Sequence, residues 1–102
     1  MPISLVANED EGELPRSITL SQNYPNPFNP NTTINFTLPQ ASDIVLEVFD
    51  LLGKRVALLE KGWQTAGMHH LQLDVKDLPS GTYIYRLQVG NQVFSQKMTI
   101  LK

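Results

Sequence analysis

Apolar and polar residues alternate with period two through most of the chain, and glycine, proline or Asx residues break the alternation about every 8 to 12 residues. Ser17 to Asn23 sets Ile18 and Leu20 on one face. Thr32 to Leu38 alternates Ile34, Phe36 and Leu38 with Thr33, Asn35 and Thr37, and Pro39 closes it. Asp43 to Asp50 sets Ile44, Leu46 and Val48 against Val45, Glu47 and Phe49, and Leu51-Leu52-Gly53 reads as a turn. Lys54 to Lys61 is ambiguous, since Val56, Leu58 and Leu59 fit either a short strand or a single helical turn. Gly62 and Gly67 bracket an expected loop that holds Trp63. His69, Leu71 and Leu73 then alternate with His70, Gln72 and Asp74. Gly81 to Val89 places Tyr83, Tyr85, Leu87 and Val89 together, Gly90-Asn91 suits a two-residue hairpin turn, and Gln92 to Lys102 groups Phe94, Met98 and Ile100.

Seven short strands with no periodic stretch long enough for a helix predict an all-β fold, an immunoglobulin-like seven-stranded antiparallel β-sandwich. An up-and-down barrel is the alternative architecture, although closing one takes at least about eight strands. Leu78-Pro79-Ser80-Gly81-Thr82-Tyr83 has the layout of a tyrosine corner, in which the Tyr83 hydroxyl bonds backbone upstream while its ring packs inward. Tyr85 then takes the inward position where antibody domains carry cysteine, so packing replaces a disulfide.

The stretch QNYPNPFNPNTT, residues 22–33, is the least regular in the chain. Asn26-Pro27 and Asn29-Pro30 are turn-initiating pairs, because a residue before proline is pushed out of the α region and Asn can bond its own backbone two residues on. Pro25, Pro27 and Pro30 also remove ladder donors, so a rigid connection between the first two strands is expected. Tyr24 and Phe28 are expected to anchor it by dipping their rings into one end of the sandwich. A binding loop is the functional rival, since prolines and aromatics also line ligand platforms.

Composition narrows the picture further. The chain of 102 residues has no cysteine, which excludes disulfides, thiolate metal sites and Cys nucleophiles. Its charge of −2 is uneven: Glu9, Asp10, Glu11 and Glu13 crowd the first sixteen residues against Arg16 alone. From residue 17 onward six acids meet seven bases, a balance of +1, and no acid follows Asp77. That balance indicates neither nucleic-acid binding nor attraction to a membrane surface. No apolar run approaches the roughly 18 residues of a membrane span, and the start lacks a basic region followed by an apolar core. If the polypeptide is exported, its targeting signal is expected on a longer precursor. Residues 1–16 read as an acidic linker, and 17–102 as the folded domain.

Candidate chemistry is sparse. His69 and His70 are adjacent and point to opposite faces of a strand, with no third ligand at a metal-binding spacing. Asp43, Asp50, Asp74 and Asp77 form no EF-hand pattern and are expected to end strands and start turns. Asn31-Thr32-Thr33 and Asn35-Phe36-Thr37 match a glycosylation pattern but read as turn and strand residues. No Ser/His/Asp arrangement and no phosphate-cradling glycine loop is present, so the expectation is a non-enzyme without cofactor or metal.

LSQNYPNPFNPNTTINFTLP, VLEVFDLLGKRVALL, AGMHHLQLD, LPSGTYIYRLQVG and the terminal KMTILK, in that order, resemble the type A C-terminal sorting domain of the type IX secretion system, over residues 14–102. The YPNPFNP core is the most specific of these motifs. Leu73 departs from the pattern, which usually has Trp before the Asp that is kept here as Asp74; Trp63 is a candidate replacement for that ring. The resemblance implies a domain at the end of a cell-surface or secreted protein of a Gram-negative bacterium, with no reaction of its own. It implies periplasmic transit, an outer-membrane translocon as partner, and a surface sortase cutting upstream, here in or before Ala7 to Arg16. Carried over by position, the signal falls on Gly90 and on Lys97, Met98, Thr99, Ile100, Leu101 and Lys102.

A terminal strand at a sheet edge also presents backbone groups suited to strand addition, and flanking lysines would orient a partner. The expected division is that Lys97 and Lys102 serve recognition while Met98 and Ile100 serve the fold. Two other classes compete: a carbohydrate-binding module with Trp63, Tyr24 or Phe28 as sugar platform, and a structural or assembly sandwich.

Overall fold

The structure, a computed structural model, describes residues 14–27, 31–74 and 76–102. Seven strands follow one another: β1 (Thr19–Leu20), β2 (Asn31–Leu38), β3 (Ser42–Phe49), β4 (Arg55–Gln64), β5 (Gly67–Asp74), β6 (Gly81–Val89) and β7 (Gln92–Ile100). They form two antiparallel sheets, a three-stranded one in the order β1-β2-β5 and a four-stranded one in the order β4-β3-β6-β7. Their facing sides make one core. Leu20, Ile34, Phe36, Leu38 and Leu73 come from the first sheet, and Ile44, Leu46, Val48, Tyr83, Tyr85, Leu87, Val89, Met98 and Ile100 from the second. Because strand side chains alternate faces, the residues between them, such as Val45, Glu47 and Phe49, turn to the outside. Relative to a constant-type immunoglobulin domain, the fourth strand has changed sheets and pairs with the third.

Two elements differ from the expectation. The first strand is only two residues long: after the Ser21 amide bonds the Asn35 carbonyl at 2.9 Å the ladder with β2 is interrupted, and it resumes only as a single bridge between Tyr24 and Thr33. The fourth is a full ten-residue strand, and the loop expected between Gly62 and Gly67 shrinks to Thr65-Ala66. Trp63 sits within β4, opposite Asp43. The cause is a pair of register shifts, between Leu46 and Glu47 and between Val48 and Phe49. Each shift slips the inward-outward phase of β4, so Val56, Ala57, Leu58 and Leu59 lose the alternation that marks a strand.

The turns follow their local chemistry. Asp50 accepts the Leu52 and Lys54 amides, each at 2.9 Å, and Gly53 takes φ 90° between them. At the β6–β7 hairpin Gly90 has φ 60° and Asn91 does not share that sign, which fits a type II′ turn with glycine first. The tyrosine corner is present: the Tyr83 hydroxyl donates to the Pro79 carbonyl at 2.7 Å. Tyr85 is fully buried and its hydroxyl donates to the Ser21 carbonyl at 2.5 Å, tying the four-stranded sheet to the end of β1. Leu73 fills its own core position opposite Thr32, whereas Trp63, 69% exposed, belongs to the other sheet and does not replace a ring there.

Burial pushes the Tyr85 hydroxyl up to about 12, against a smaller opposing pull from the backbone of Asn23. Between pH 10 and 12 the unfolded chain loses this proton while the folded one keeps it, so stability falls through that window. Urea unfolding at pH 9 and pH 12 is expected to show a loss on the order of 2 kcal/mol in the parent beyond that in Tyr85→Phe. At pH 7 the same variant should be less stable by about 1 to 2 kcal/mol, since the Ser21 carbonyl loses its donor.

Candidate recognition surface around the terminal strand

β7 pairs with β6 on one side only, in an unbroken register from Val89↔Gln92 to Gly81↔Ile100. In an antiparallel ladder, residues alternate between pairs that exchange hydrogen bonds and pairs that do not. The two-residue hairpin makes Val89 and Gln92 a bonded pair, so Leu87–Phe94, Tyr85–Gln96, Tyr83–Met98 and Gly81–Ile100 are bonded too. Val93, Ser95, Lys97 and Thr99 therefore turn both backbone groups away from the sheet. Met98 and Ile100 are fully buried, whereas Lys97, Leu101 and Lys102 are exposed and Thr99 is half-buried.

Part of this outward backbone is already satisfied, and the proline-rich segment does it. The Gln22 amide nitrogen Nε2 donates to the Lys97 carbonyl at 2.6 Å, and the Thr99 amide donates to Asn26 Oδ1 at 2.9 Å. From the inner face, Gln96 Nε2 donates to the Leu20 carbonyl at 3.0 Å. Residues 22–26 thus lie along the C-terminal half of β7 as a cap made of side chains. The last residue is held as well, by a bond of 2.9 Å from the Lys102 amide to Ser80 Oγ and one of 2.5 Å from its Nζ to the Lys76 carbonyl.

The cap is itself braced by a buried polar cluster. Asn23, only 2% exposed, donates from Nδ2 to Thr32 Oγ1 at 2.9 Å and to the Pro25 carbonyl at 3.1 Å. The Thr32 hydroxyl donates to the same carbonyl at 2.8 Å, and the backbones of Tyr24 and Thr33 exchange two bonds. Tyr24-Pro25 and Asn26-Pro27 are cis peptide bonds. The expectation that Tyr24 dips its ring into the sandwich is corrected here. That ring is 79% exposed, and a hydrogen-bonded asparagine occupies the end of the core instead. A carboxamide that meets all its partners can fill such a place without the cost of an unsatisfied polar group. Phe28, Asn29 and Pro30 lie outside the described residues.

Other candidate residues separate. Gly90 stands in the turn before β7, beyond Gln92, which is itself roughly 17 Å along the strand from Lys97. It lines a different cleft of about 450 Å³ with Ile18, Pro39, Asp43 and Val89. Trp63 and Tyr24 occupy opposite sides of the molecule, since β4 and β7 are the two edges of one sheet and Tyr24 lies with the cap. They form no common platform. His69 stacks on Phe36 with ring centroids 4.9 Å apart, and His70 Nδ1 meets Asn35 Oδ1 at 2.5 Å.

One feature escapes the sequence pattern. On the outer face of the four-stranded sheet Glu47, largely buried, is held between Arg55 at 3.1 Å and Arg86 at 3.2 Å, and Arg86 lies over the Phe49 ring at 4.5 Å. The polar positions in β3 and β6 are visible as such, but only the register Glu47↔Arg86 brings them together.

A family model described as secretion system C-terminal sorting domain matches residues 22–101. No curated protein matches the chain. The matched span opens on the cap and closes one residue after β7.

Asn26→Ala should leave the Thr99 amide open to water while the Met98 amide stays in the β6 ladder. Hydrogen exchange followed by NMR is expected to speed at Thr99 by about tenfold, for a loss of roughly 1 kcal/mol, with no change at Met98.

Proposed function

The chain belongs to the C-terminal sorting domains of the type IX secretion system, and on that premise we propose that it carries a passenger through the outer-membrane translocon by offering its terminal strand as the label. A sorting signal of this kind implies export to the cell surface or release, and dealings with the secretion machinery and a passenger. Within this proposal the precursor crosses the periplasm, residues 1–16 are the linker to the passenger, and a surface sortase removes the domain there. No catalytic step is assigned to the domain itself.

The observation that carries the reading is the placement of β7. It is an edge strand with Lys97, Leu101 and Lys102 at the surface, on a scaffold whose core is complete without them. An edge offers main-chain groups for affinity and alternate side chains for specificity. The split between label and scaffold follows from burial. Truncating Ile100 or Met98 removes a fully buried side chain and costs about 2 to 5 kcal/mol, whereas exposed lysines stay within about 0.5 kcal/mol. Gly90 serves the hairpin that returns β7 to β6.

Residues 14–102 fused behind an exported fluorescent protein should deliver it to the surface of a host that has the translocon, and the protein without the domain should remain in the periplasm. Reversing both charges with Lys97→Glu and Lys102→Glu should leave the melting temperature within a few degrees and cut delivery severalfold. Full delivery by that folded variant would remove the lysines from the label.

A further inference from the structure

Three long strands among the described residues have a free flank, and they are not equivalent. β4 is broken by two register shifts and by Gly62 at φ 129°, and such irregularities twist an edge away from pairing. β5 is regular, but the face beside it is solvated: His70, Gln72 and Asp74 stand next to Thr33 and Asn35. β7 is regular, and its C-terminal half is capped at Lys97 and Thr99 by Gln22 and Asn26. Among the described residues its N-terminal half stays unpaired: Val93 and Ser95 turn their backbone groups outward with no hydrogen bond from outside the hairpin, and β1 packs near β7 where Gln96 reaches the Leu20 carbonyl.

The surface next to that open half differs from the rest of the molecule. Phe49, Asp50, Leu51, Ile84, Arg86 and Ser95 line a groove of about 410 Å³ on the outer face of the four-stranded sheet. Its floor is apolar. Register places Ser95 opposite Arg86 and Lys97 opposite Ile84, so two cations stand along the groove beside the free edge, with Arg55 beyond. The nearby acids are engaged: Glu47 by Arg55 and Arg86, and Asp50 by the Leu52 and Lys54 amides.

We propose that the open flank of β7 at Val93 and Ser95, with the groove and the Lys97 side chain beside it, accepts an extended segment of a partner protein that presents an apolar and an acidic side chain two residues apart. Period two on the added strand puts both on the groove side, the apolar one against the exposed Val93 side chain and the carboxylate within reach of Lys97 or Arg86. A second copy of this chain fits poorly, because two β7 edges paired antiparallel about Ser95 bring Arg86 and Lys97 of both copies to one face with no acid between them. The inference rests on the sorting function proposed above and narrows the label from the last residues to the strand's uncapped half.

The test uses the surface-delivery fusion with three changes at one position. Ser95→Pro removes the outward amide, which the β6 ladder does not use, and proline is tolerated on such an edge. Ser95→Glu keeps the backbone, faces Arg86 across the strands, neutralises it and repels an acidic segment; this pair also holds the fold should the proline disturb it. Ser95→Ala is the control. Ser95→Glu and Ser95→Pro, with melting temperatures near the parent's, are expected to lower delivery at least tenfold, and Ser95→Ala to match the parent. Parent-level delivery by folded Ser95→Pro overturns strand addition. If Ser95→Glu alone then fails, the contact is one of charge only, as with an anionic polysaccharide. A dimer in sedimentation that Ser95→Pro abolishes overturns the proposal in favour of self-pairing. Failure of the unmodified fusion to reach the surface is a different result, and it overturns the sorting function itself along with this inference.

Discussion

The carbonyl of Lys97 and the amide of Thr99 point away from the sheet, and the side chains of Gln22 and Asn26 meet them. Much of the rest depends on this constraint. An edge strand with all its outward groups free is a template for any passing chain, which is a hazard for a domain that must stay folded and monodisperse. Covering it with backbone would have made β7 an interior strand and hidden its side chains. Covering two groups with two side chains protects the C-terminal half and leaves the other half exposed.

A side-chain cap works only if the segment that carries it is stiff. Residues 22–26 are held by Asn23, buried and bonded to Thr32 and the Pro25 carbonyl, and by the paired backbones of Tyr24 and Thr33. The same corner receives the Tyr85 hydroxyl at Ser21 and the Gln96 amide at Leu20, so both sheets meet there. A domain without cysteine thus secures the place where an immunoglobulin disulfide would sit with a buried tyrosine and a polar cluster. Each bond contributes only about 1 kcal/mol, but together they order the prolines against the terminal strand.

The two outer faces divide their tasks. The three-stranded sheet shows water a face of Thr, Asn, His and Gln, broken only by Met68, which suits a solvated surface. The four-stranded sheet shows Phe49, Ile84, Val93 and Leu58 among Arg55, Arg86 and Lys97, with Glu47 as internal counter-charge. Exposed apolar surface rimmed by cations is where a sandwich meets another protein. Membership of a sorting family gives that asymmetry a use.

Much of the fold is legible in the chain because its causes are local. Alternation from Ile34 to Leu38 and from Tyr83 to Val89, the Asp50 and Gly90 turns and the Pro79–Tyr83 corner all arise within a few residues. The motifs that mark the family are contiguous for the same reason. Register shifts hid β4, since a bulge breaks the period that identifies a strand, and Trp63 passed for a loop residue. The outward turn of Tyr24 is not legible in the chain, because proline and aromatic content says nothing about which way a ring turns. The cap and the Arg55–Glu47–Arg86 cluster lay beyond reach, because Gln22 and Lys97 stand 75 positions apart and no property of either names the other. Sequence determined which segments become strands and where they reverse; tertiary structure alone decided which strand keeps an open flank and what stands beside it, because that depends on how two sheets register against each other in space.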